Sequence, residues 1–309
     1  MNVEQEKSPR RRRKRPERFV DLHVHTTFSD GTQTPTDVVK MAAIAKLKAI
    51  AITDHDTIDG IPEALAQGTR SRIEILAGLE IAAAWPTGSL DFLGYGIDIA
   101  SPTLENKLRW LREARAERNP KIIARLRDLG VDVVYQEVLD LAAGAAVGRP
   151  HIARVLVRKG YAKDVREAFD RFLGRSAPAY VPKERLNSAQ AIELIREAGG
   201  VPVLAHPHTL NVGLEDELDL LVSRFLREGL LGIEVICSGY EPVMVSRLTR
   251  LAEKHNILTT GGSDYHGDPE SGVEMGVGTG DMRVPYRFAE KVRDAARSMR
   301  SSAVELAPH

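Results

Sequence analysis

Short apolar runs alternate along most of the chain with longer stretches whose apolar residues recur at helical spacing. The short runs predict strands at Phe19–Val24, Ala49–Thr53, Ile73–Ala82, Leu90–Ile97, Val201–Ala205, Leu231–Cys237 and Ile257–Thr260. The longer stretches predict helices at Pro35–Lys46, Ser188–Ala198, Leu214–Arg227 and Val243–His255. Strands that alternate with helices are typical of a parallel sheet, either open or closed into a barrel.

Residues 103–186 lack convincing strand patterns. Leucine and isoleucine residues repeat there at helical spacing, and further helices are predicted at Gln136–Ala142, Pro150–Lys159 and Asp164–Phe172. We therefore expect an all-helical insertion at 103–186 within an α/β core formed by residues 19–102 and 187–285. Residues 286–309 are predicted to form a C-terminal helix and tail.

The composition is that of an ordinary globular protein, with 43% hydrophobic and 28% charged residues. A formal net charge of zero gives no chain-wide attraction for nucleic acid or membranes. The one cysteine, Cys237, cannot form an internal disulfide, and no apolar run approaches the ~20 residues of a membrane span. We expect a cytoplasmic protein without membrane association, and no pattern indicates an obligatory protein partner.

The first 18 residues contain a dense basic block. Its members are Arg10, Arg11, Arg12, Arg13, Lys14, Arg15 and Arg18. Like charges at this density repel one another, so residues 1–18 are predicted to be a disordered tail. Added affinity for RNA phosphates and a merely solubilising role both stay open, and we expect no catalytic role.

Polar residues with metal-binding side chains follow or end the predicted strands. They are His23, His25, Asp30, His55, Glu80, His206, Asp264 and His266. His23 and His25 are two apart on an extended segment, so both side chains point to one face and can grip one ion. Because strand ends of a parallel α/β fold meet at one mouth, the set predicts a site for Zn, Mn or Fe. A single histidine would carry little weight, but five of the nine histidines belong to this set.

The order of these motifs resembles that of the PHP (polymerase and histidinol phosphatase) superfamily. The segments are His23-Val24-His25, Thr53-Asp54-His55-Asp56, Gly78-Leu79-Glu80, Ala205-His206-Pro207 and Ser263-Asp264-Tyr265-His266. The chain looks most similar to stand-alone bacterial phosphoesterases with a helical insertion. Those proteins hydrolyse nucleoside 3′,5′-bisphosphates, nucleotides or short RNA from the 5′ end. The resemblance implies a distorted (β/α)7 TIM-like barrel.

The resemblance also implies two or three divalent ions, with Mn favoured and Zn or Fe as alternatives. His23, His25, Glu80 and Asp264 would hold one ion, and Glu80 would bridge to a second ion completed by His206. Asp30, His55 and His266 would hold a third. Asp91 stands where the family often has a histidine, and a carboxylate there favours harder ions such as Mn.

The chemistry follows from the charge of a phosphate ester. Clustered dications neutralise its oxygens and lower the pKa of bound water, so that hydroxide exists near neutral pH. This mechanism places His23, His25, Glu80, His206 and Asp264 at the catalytic centre. It needs no serine, cysteine or aspartate nucleophile.

Substrate recognition should use cationic groups near the same mouth. Arg149 and His151 resemble the family's insertion motif that reaches phosphate, although Arg149 would also suit an ordinary helix N-terminus. Lys183 and Arg185 are candidates for a second phosphate, with a solvated linker as the alternative. His208 is a candidate for contacting phosphate or protonating the leaving group.

A row of arginines at 109, 112, 115 and 118 alternates with glutamates at 105, 113 and 117. This pattern favours a salt-bridged helix face that points to solvent.

The sequence predicts a metal-dependent phosphoesterase that acts on small nucleotides or short RNA. A histidinol-phosphate-type phosphatase and a non-catalytic, metal-stabilised RNA-binding module are the alternatives. Amidohydrolases also begin with H-x-H on a barrel strand, but their usual strand-end lysine has no obvious counterpart in this chain.

Overall fold

A computed structural model describes residues 18–142, 147–182, 184–213 and 216–305. Its strands are β1 (Phe19–Val24), β2 (Ala49–Ile52), β3 (Glu74–Ala83), β4 (Leu90–Tyr95), β5 (Val201–Leu204), β6 (Gly232–Cys237), β7 (Leu258–Gly262) and β8 (Val284–Pro285). Its helices are α1 (Pro35–Ile44), α2 (Ile61–Ser71), α3 (Pro102–Asp128), α4 (Tyr135–Ala142), α5 (Arg149–Arg158), α6 (Val165–Ala168), α7 (Ser188–Glu197), α8 (Asp216–Glu228), α9 (Pro242–His255) and α10 (Arg287–Glu305). The basic tail predicted at 1–18 lies, apart from Arg18, outside the described residues.

The strands form one mixed sheet in the order β7-β6-β5-β4-β3-β2-β1-β8. The sheet curls until β1 meets the end of β7, where the Asp264 amide donates to the His23 carbonyl at 3.0 Å and the His25 amide donates to the Tyr265 carbonyl at 2.9 Å. The two-residue strand β8 pairs with the start of β1. The predicted (β/α)7-type barrel is confirmed in this nearly closed form, with β8 as an additional short strand.

The prediction of an all-parallel sheet is wrong for β4, which runs antiparallel to both β3 and β5. Residues 84–89 join β3 to β4 directly, and a parallel crossover needs about a dozen residues or more. The reversed direction of β4 determines which of its ends lies at the mouth of the barrel. The first residues of β4 lie at the same mouth as the final residues of the parallel strands, and Asp91 is one of them.

Two hydrophobic clusters divide the buried side chains of the described residues. Leu104, Leu108 and Leu111, from the first half of α3, belong to the barrel's cluster. Ile122 and Leu126, from the second half, belong to a cluster shared with α4, α5 and α6. The two clusters do not give a boundary for the helical insertion, because α3 contributes to both. The boundaries at 103 and 186 stay a prediction.

None of the helices in the described ranges is long and apolar enough to cross a membrane.

Asp21 closes the barrel from inside. Its carboxylate is fully buried and accepts hydrogen bonds from the Ser263 amide at 2.8 Å, the Ser263 hydroxyl at 2.5 Å and the Gly276 amide at 2.7 Å. These bonds join β1 to the segment that follows β7. Asp21 therefore fixes the backbone on both sides of Asp264.

We expect Asp21→Asn to lower the free energy of unfolding by about 2 kcal/mol, since an amide would turn a donor toward donors in a buried site. Urea unfolding of chelator-treated protein measures the change. Asp281→Asn, at an exposed aspartate, is the matched control and should leave the free energy of unfolding unchanged. Equal stability of the two variants would show that Asp21 does not hold the barrel closed.

Candidate metal centre

Two buried histidines face the mouth of the barrel at the end of β1, where His23 lies within the strand and His25 directly follows it. His23 and His25 point to the same face because side chains alternate along a strand. Both rings are fully buried, and their Nε2 atoms lie 3.1 Å apart. Two imidazole nitrogens that face each other at this distance are arranged as ligands of a shared cation.

Glu80 lies at the centre of the histidine cluster. Its Oε2 is 3.4 Å from His23 Nε2, 3.3 Å from His25 Nε2 and 3.2 Å from His55 Nδ1. Its Oε1 is 2.9 Å from His206 Nε2. Glu80 was expected at the end of a strand, but β3 continues for three more residues, to Ala83, in its hairpin with β4.

Asp264 faces the two β1 histidines from the turn after β7. Its Oδ1 lies 3.3 Å from His23 Nε2 and 3.2 Å from His25 Nε2. The residue has a φ of 58°, in the left-handed region, which is uncommon for a residue with a side chain. The amide of Asp264 is held by the His23 carbonyl, so the same backbone contact closes the barrel and aims the carboxylate.

A third cluster combines His25, Asp30, His55 and His266. Asp30 Oδ1 is 3.3 Å from His266 Nε2, and Asp30 Oδ2 is 3.9 Å from His55 Nε2. Asp54 orders the loop that carries Asp30, since its carboxylate accepts hydrogen bonds from the Thr26 amide at 2.7 Å and the Ser29 hydroxyl at 2.6 Å.

The donor sets fit divalent metal ions. Three groups have ligand atoms within 4.8 Å of one another: His25, Asp30, His55 and His266; His23, His25 and Asp264; and His23, Glu80 and His206. Asp30 Oδ1 and His55 Nδ1 are buried and form no hydrogen bond within the part of the chain that the structure describes. Imidazole and carboxylate donors in such sets are suited to Zn, Mn and Fe.

The charges within the cluster support the same conclusion. Burial lowers the pKa of His25, but the carboxylates of Asp264 and Glu80 outweigh burial and raise this pKa to about 10. The pKa of His206 is lowered by burial and raised by Glu80, with a net rise to about 9. The carboxylates therefore attract positive charge strongly, and metal ions would replace the protons on these rings.

Asp91 is near this centre but belongs to none of the three ligand groups. It is buried, and it lines the cavity into which the ligand groups open. Burial and the nearby Glu80 carboxylate raise the pKa of Asp91. Its role as a metal ligand stays a prediction.

Glu234, in β6, belongs to the candidate site but was not predicted from the sequence. It is fully buried, its Oε1 lies 3.3 Å from His23 Nδ1, and its Oε2 accepts the His206 amide at 2.8 Å. A carboxylate on Nδ1 fixes the imidazole so that Nε2 is available to a metal. A lone glutamate within the apolar run of β6 was the available signal.

The clusters open into a cavity of about 530 Å³. Arg149, Arg185 and His208 line it together with six of the candidate metal ligands: Asp30, His55, Glu80, His206, Asp264 and His266. Arg149 donates from Nη1 to the Leu173 carbonyl at 2.8 Å, and Arg185 donates from Nη1 to the Ala83 carbonyl at 3.1 Å.

Of the other residues predicted to bind substrate, one lines the cavity, one is buried outside it and one lies outside the described residues. His208 lies with its Nδ1 2.9 Å from the Tyr240 hydroxyl. His151 is buried and does not line the cavity, and its Nδ1 accepts the Gly148 amide at 3.1 Å. It therefore shapes the turn before Arg149. Lys183 lies outside the described residues.

The prediction of a solvent-facing arginine row is wrong for its last two members. Arg115 and Arg118 are buried and line the cavity, whereas Arg109 and Arg112 lie beside Glu105. Three residues of an α-helix rotate by about 300°, which is about 60° short of a full turn. The three steps from Arg109 to Arg118 therefore add up to about half a turn, which is the opposite side of the helix. The row therefore turns from solvent into the site.

Comparison with known proteins agrees with this geometry. The family model described as PHP domain matches residues 21–175. The 3',5'-nucleoside bisphosphate phosphatase of Chromobacterium violaceum is 33% identical over 83% of this chain and 90% of its own length. The 5'-3' exoribonuclease Rnm of Salmonella typhimurium is 35% identical over 83% of this chain and 87% of its own length.

A solved structure extends the similarity to the fold. A Bifidobacterium adolescentis chain, assigned as a metal-dependent phosphoesterase, superposes with a TM-score of 0.80 at 30% identity, covering 91% of this chain and 97% of the other. The matched motifs, the shared barrel and the identity over most of the length lead to one conclusion. The chain belongs to the PHP domain family.

Proposed function

We propose that this chain, a metal-dependent phosphoesterase that acts on nucleotides, has nucleoside 3′,5′-bisphosphates as its preferred substrates and 5′ ends of short RNA as a second substrate class. One observation carries the proposal: the metal-binding groups and several guanidinium groups line a single cavity of about 530 Å³. A substrate with two phosphate groups on one small molecule can use both kinds of anion-binding group together.

The ligand groups suggest how the ions would be held. His23, His25, Glu80 and Asp264 would hold one ion, and Glu80 with His206 a second. The cluster of Asp30, His55 and His266 would hold a third. When bound, the divalent ions would neutralise phosphate oxygens and supply a hydroxide nucleophile near neutral pH.

The chain's own side chains would orient the substrate. Arg149 and Arg185 are anchored by backbone carbonyls, so their guanidinium groups are positioned before a phosphate arrives. His208 lines the same cavity beside Tyr240, where its imidazole would contact a phosphate oxygen or donate a proton to the leaving oxygen.

Mn is our proposal for the native ion, with Zn and Fe as alternatives. The centre combines imidazoles with the carboxylates of Asp30, Glu80 and Asp264, and the Asp91 carboxylate lies beside it. Added carboxylate donors favour harder ions. Action in the cytoplasm and independence from a protein partner stay predictions.

The alternatives differ in what they need from the cavity. A histidinol-phosphate-type phosphatase would bind one phosphate and leave the arginine charges without an anion. A metal-stabilised RNA-binding module would hold its ions but would not need a cavity that gives a small substrate access to them. The bisphosphate phosphatase and the exoribonuclease among the relatives, by their names, act on the two proposed substrate classes.

Substitution of a metal-binding residue tests catalysis. We expect His25→Ala and Asp264→Ala each to lower phosphate release more than about 100-fold, because loss of a direct ligand should exceed the usual effect of an outer residue. Metal content per chain, measured by mass spectrometry, should fall in parallel. His255→Ala is the matched control, since His255 pairs with Asp219 away from the site. Undiminished turnover in either ligand variant would refute the site assignment.

The substrate class is tested with metal-stripped protein restored with Mn or Zn. Phosphate or nucleotide release is measured from adenosine 3′,5′-bisphosphate, AMP, histidinol phosphate and a short 5′-phosphorylated RNA. We expect Mn-dependent release to be fastest from the bisphosphate, followed by the RNA, because both offer a second phosphate to the arginines. Fastest release from histidinol phosphate would favour that alternative. Absence of release from all four, with metal bound, would favour the RNA-binding module.

A further inference from the structure

The long helix α3 carries two arginines into the cavity. Arg115 and Arg118 lie one turn apart, and their relative exposures are only 8% and 5%. Both line the cavity that contains the metal-binding groups. A buried guanidinium is costly unless its charge is paired, so each side chain needs a partner.

Arg115 has such a partner. Its Nη2 pairs closely with the carboxylate of Asp56, which is itself fully buried. Arg112 donates to the Asp56 carbonyl at 3.2 Å, and the Asp56 amide donates to the Glu80 carbonyl at 3.0 Å. Arg115 therefore serves to attach α3 to the loop beside the metal centre.

Arg118 differs from Arg115 in this respect. Its Nε is buried without a hydrogen-bond partner, and no carboxylate of the described residues forms an ion pair with it. Burial, followed by the charges of Arg149 and Arg115, lowers the pKa of Arg118 to about 9, so the side chain still carries its proton at neutral pH.

Two neighbouring arginines add further positive charge beside Arg118. Arg149 and Arg185 also line the cavity, and each donates to a backbone carbonyl, which carries no net charge. Burial and the charge of Arg185 lower the pKa of Arg149 to about 10. Three guanidinium groups are thus held close enough to repel one another, and an anion would relieve that repulsion.

The anion would bind on the metal side of α3. Arg118 also borders a smaller cavity of about 230 Å³, but Glu113, Glu117 and Glu184 line that space. Metal ions would offset the carboxylates of the larger cavity, whereas none of these three glutamates belongs to a possible metal-binding group of the described residues, so they would repel an anion. The larger cavity offers Arg118 together with Arg149 and Arg185.

We propose that Arg118, Arg149 and Arg185, which we call the arginine cluster, form the receptor for the phosphate group that is not cleaved. This inference rests on the proposed function and deepens it. Guanidinium groups bind phosphate oxygens through paired hydrogen bonds, and these bonds are strong where water is excluded. Arg118 would be the specificity-determining residue, because it alone of the three has no hydrogen-bond acceptor within the described residues.

The test compares Arg118→Gln with Arg109→Gln, a control on the exposed face of the same helix. For each variant, kcat/KM is measured with adenosine 3′,5′-bisphosphate, adenosine 3′-monophosphate and adenosine 5′-monophosphate. The compared quantity is the ratio of the value for the bisphosphate to the higher of the two values for the monophosphates. We expect Arg118→Gln to lower this ratio by about 10- to 100-fold, the range for a lost charge-assisted hydrogen bond. Arg109→Gln should keep the wild-type ratio, and Arg118→Lys should fall between them because it restores charge but not the planar fork.

A second measurement does not depend on turnover. Sulfate is titrated into chelator-treated protein by calorimetry, and Arg118→Gln should bind it about 10-fold or more weakly than wild type and Arg109→Gln. Without sulfate, the melting temperature of Arg118→Gln should be no lower than that of wild type, since an unpaired buried charge has been removed. This result would exclude misfolding as the cause of lost binding.

The two measurements separate this inference from the proposed function. If wild-type protein hydrolyses no bisphosphate but its sulfate affinity depends on Arg118, the proposed substrate fails and the anion receptor stands. If sulfate affinity is the same in wild type and Arg118→Gln, the receptor is overturned. An unchanged bisphosphate-to-monophosphate ratio in Arg118→Gln also overturns it.

Discussion

The burial of the Glu80 carboxylate among imidazole rings is the constraint on which this structure depends. Its two oxygens lie within 3.4 Å of nitrogens on His23, His25, His55 and His206, which come from three separate parts of the chain. A buried carboxylate is stable only when its charge is matched by partners. The order of the strands, the closure of β1 on β7 and the buried carboxylates that brace the rings all serve to keep those partners in place.

Most of the candidate metal centre could be predicted from the sequence, because its residues follow local rules. The spacing of His23 and His25 fixes a shared face on any strand. A histidine within a few residues after an apolar run, such as His55 or His206, lies near a strand end in an α/β fold. Glu234 was missed because a single carboxylate within a strand has no periodic signal.

The remaining features depend on tertiary contacts that a linear pattern does not contain. The direction of β4 follows from a short hairpin, and helix α2 was not predicted because Gly68 and polar residues interrupt its apolar face. Arg115 and Arg118 follow the same charge alternation as the solvent-facing part of α3. Only the packing of α3 over the mouth, with Asp56 beneath it, distinguishes them from surface arginines.

The location of the metal-binding groups and the arginine cluster in one cavity of about 530 Å³ has a consequence for the end of the catalytic cycle. Two linked sites hold an intact bisphosphate more tightly than either site holds one phosphate alone. Hydrolysis cuts this link, so orthophosphate and the mononucleotide are each retained by a single site. On the proposed substrate, the cleavage step itself would thus promote product release.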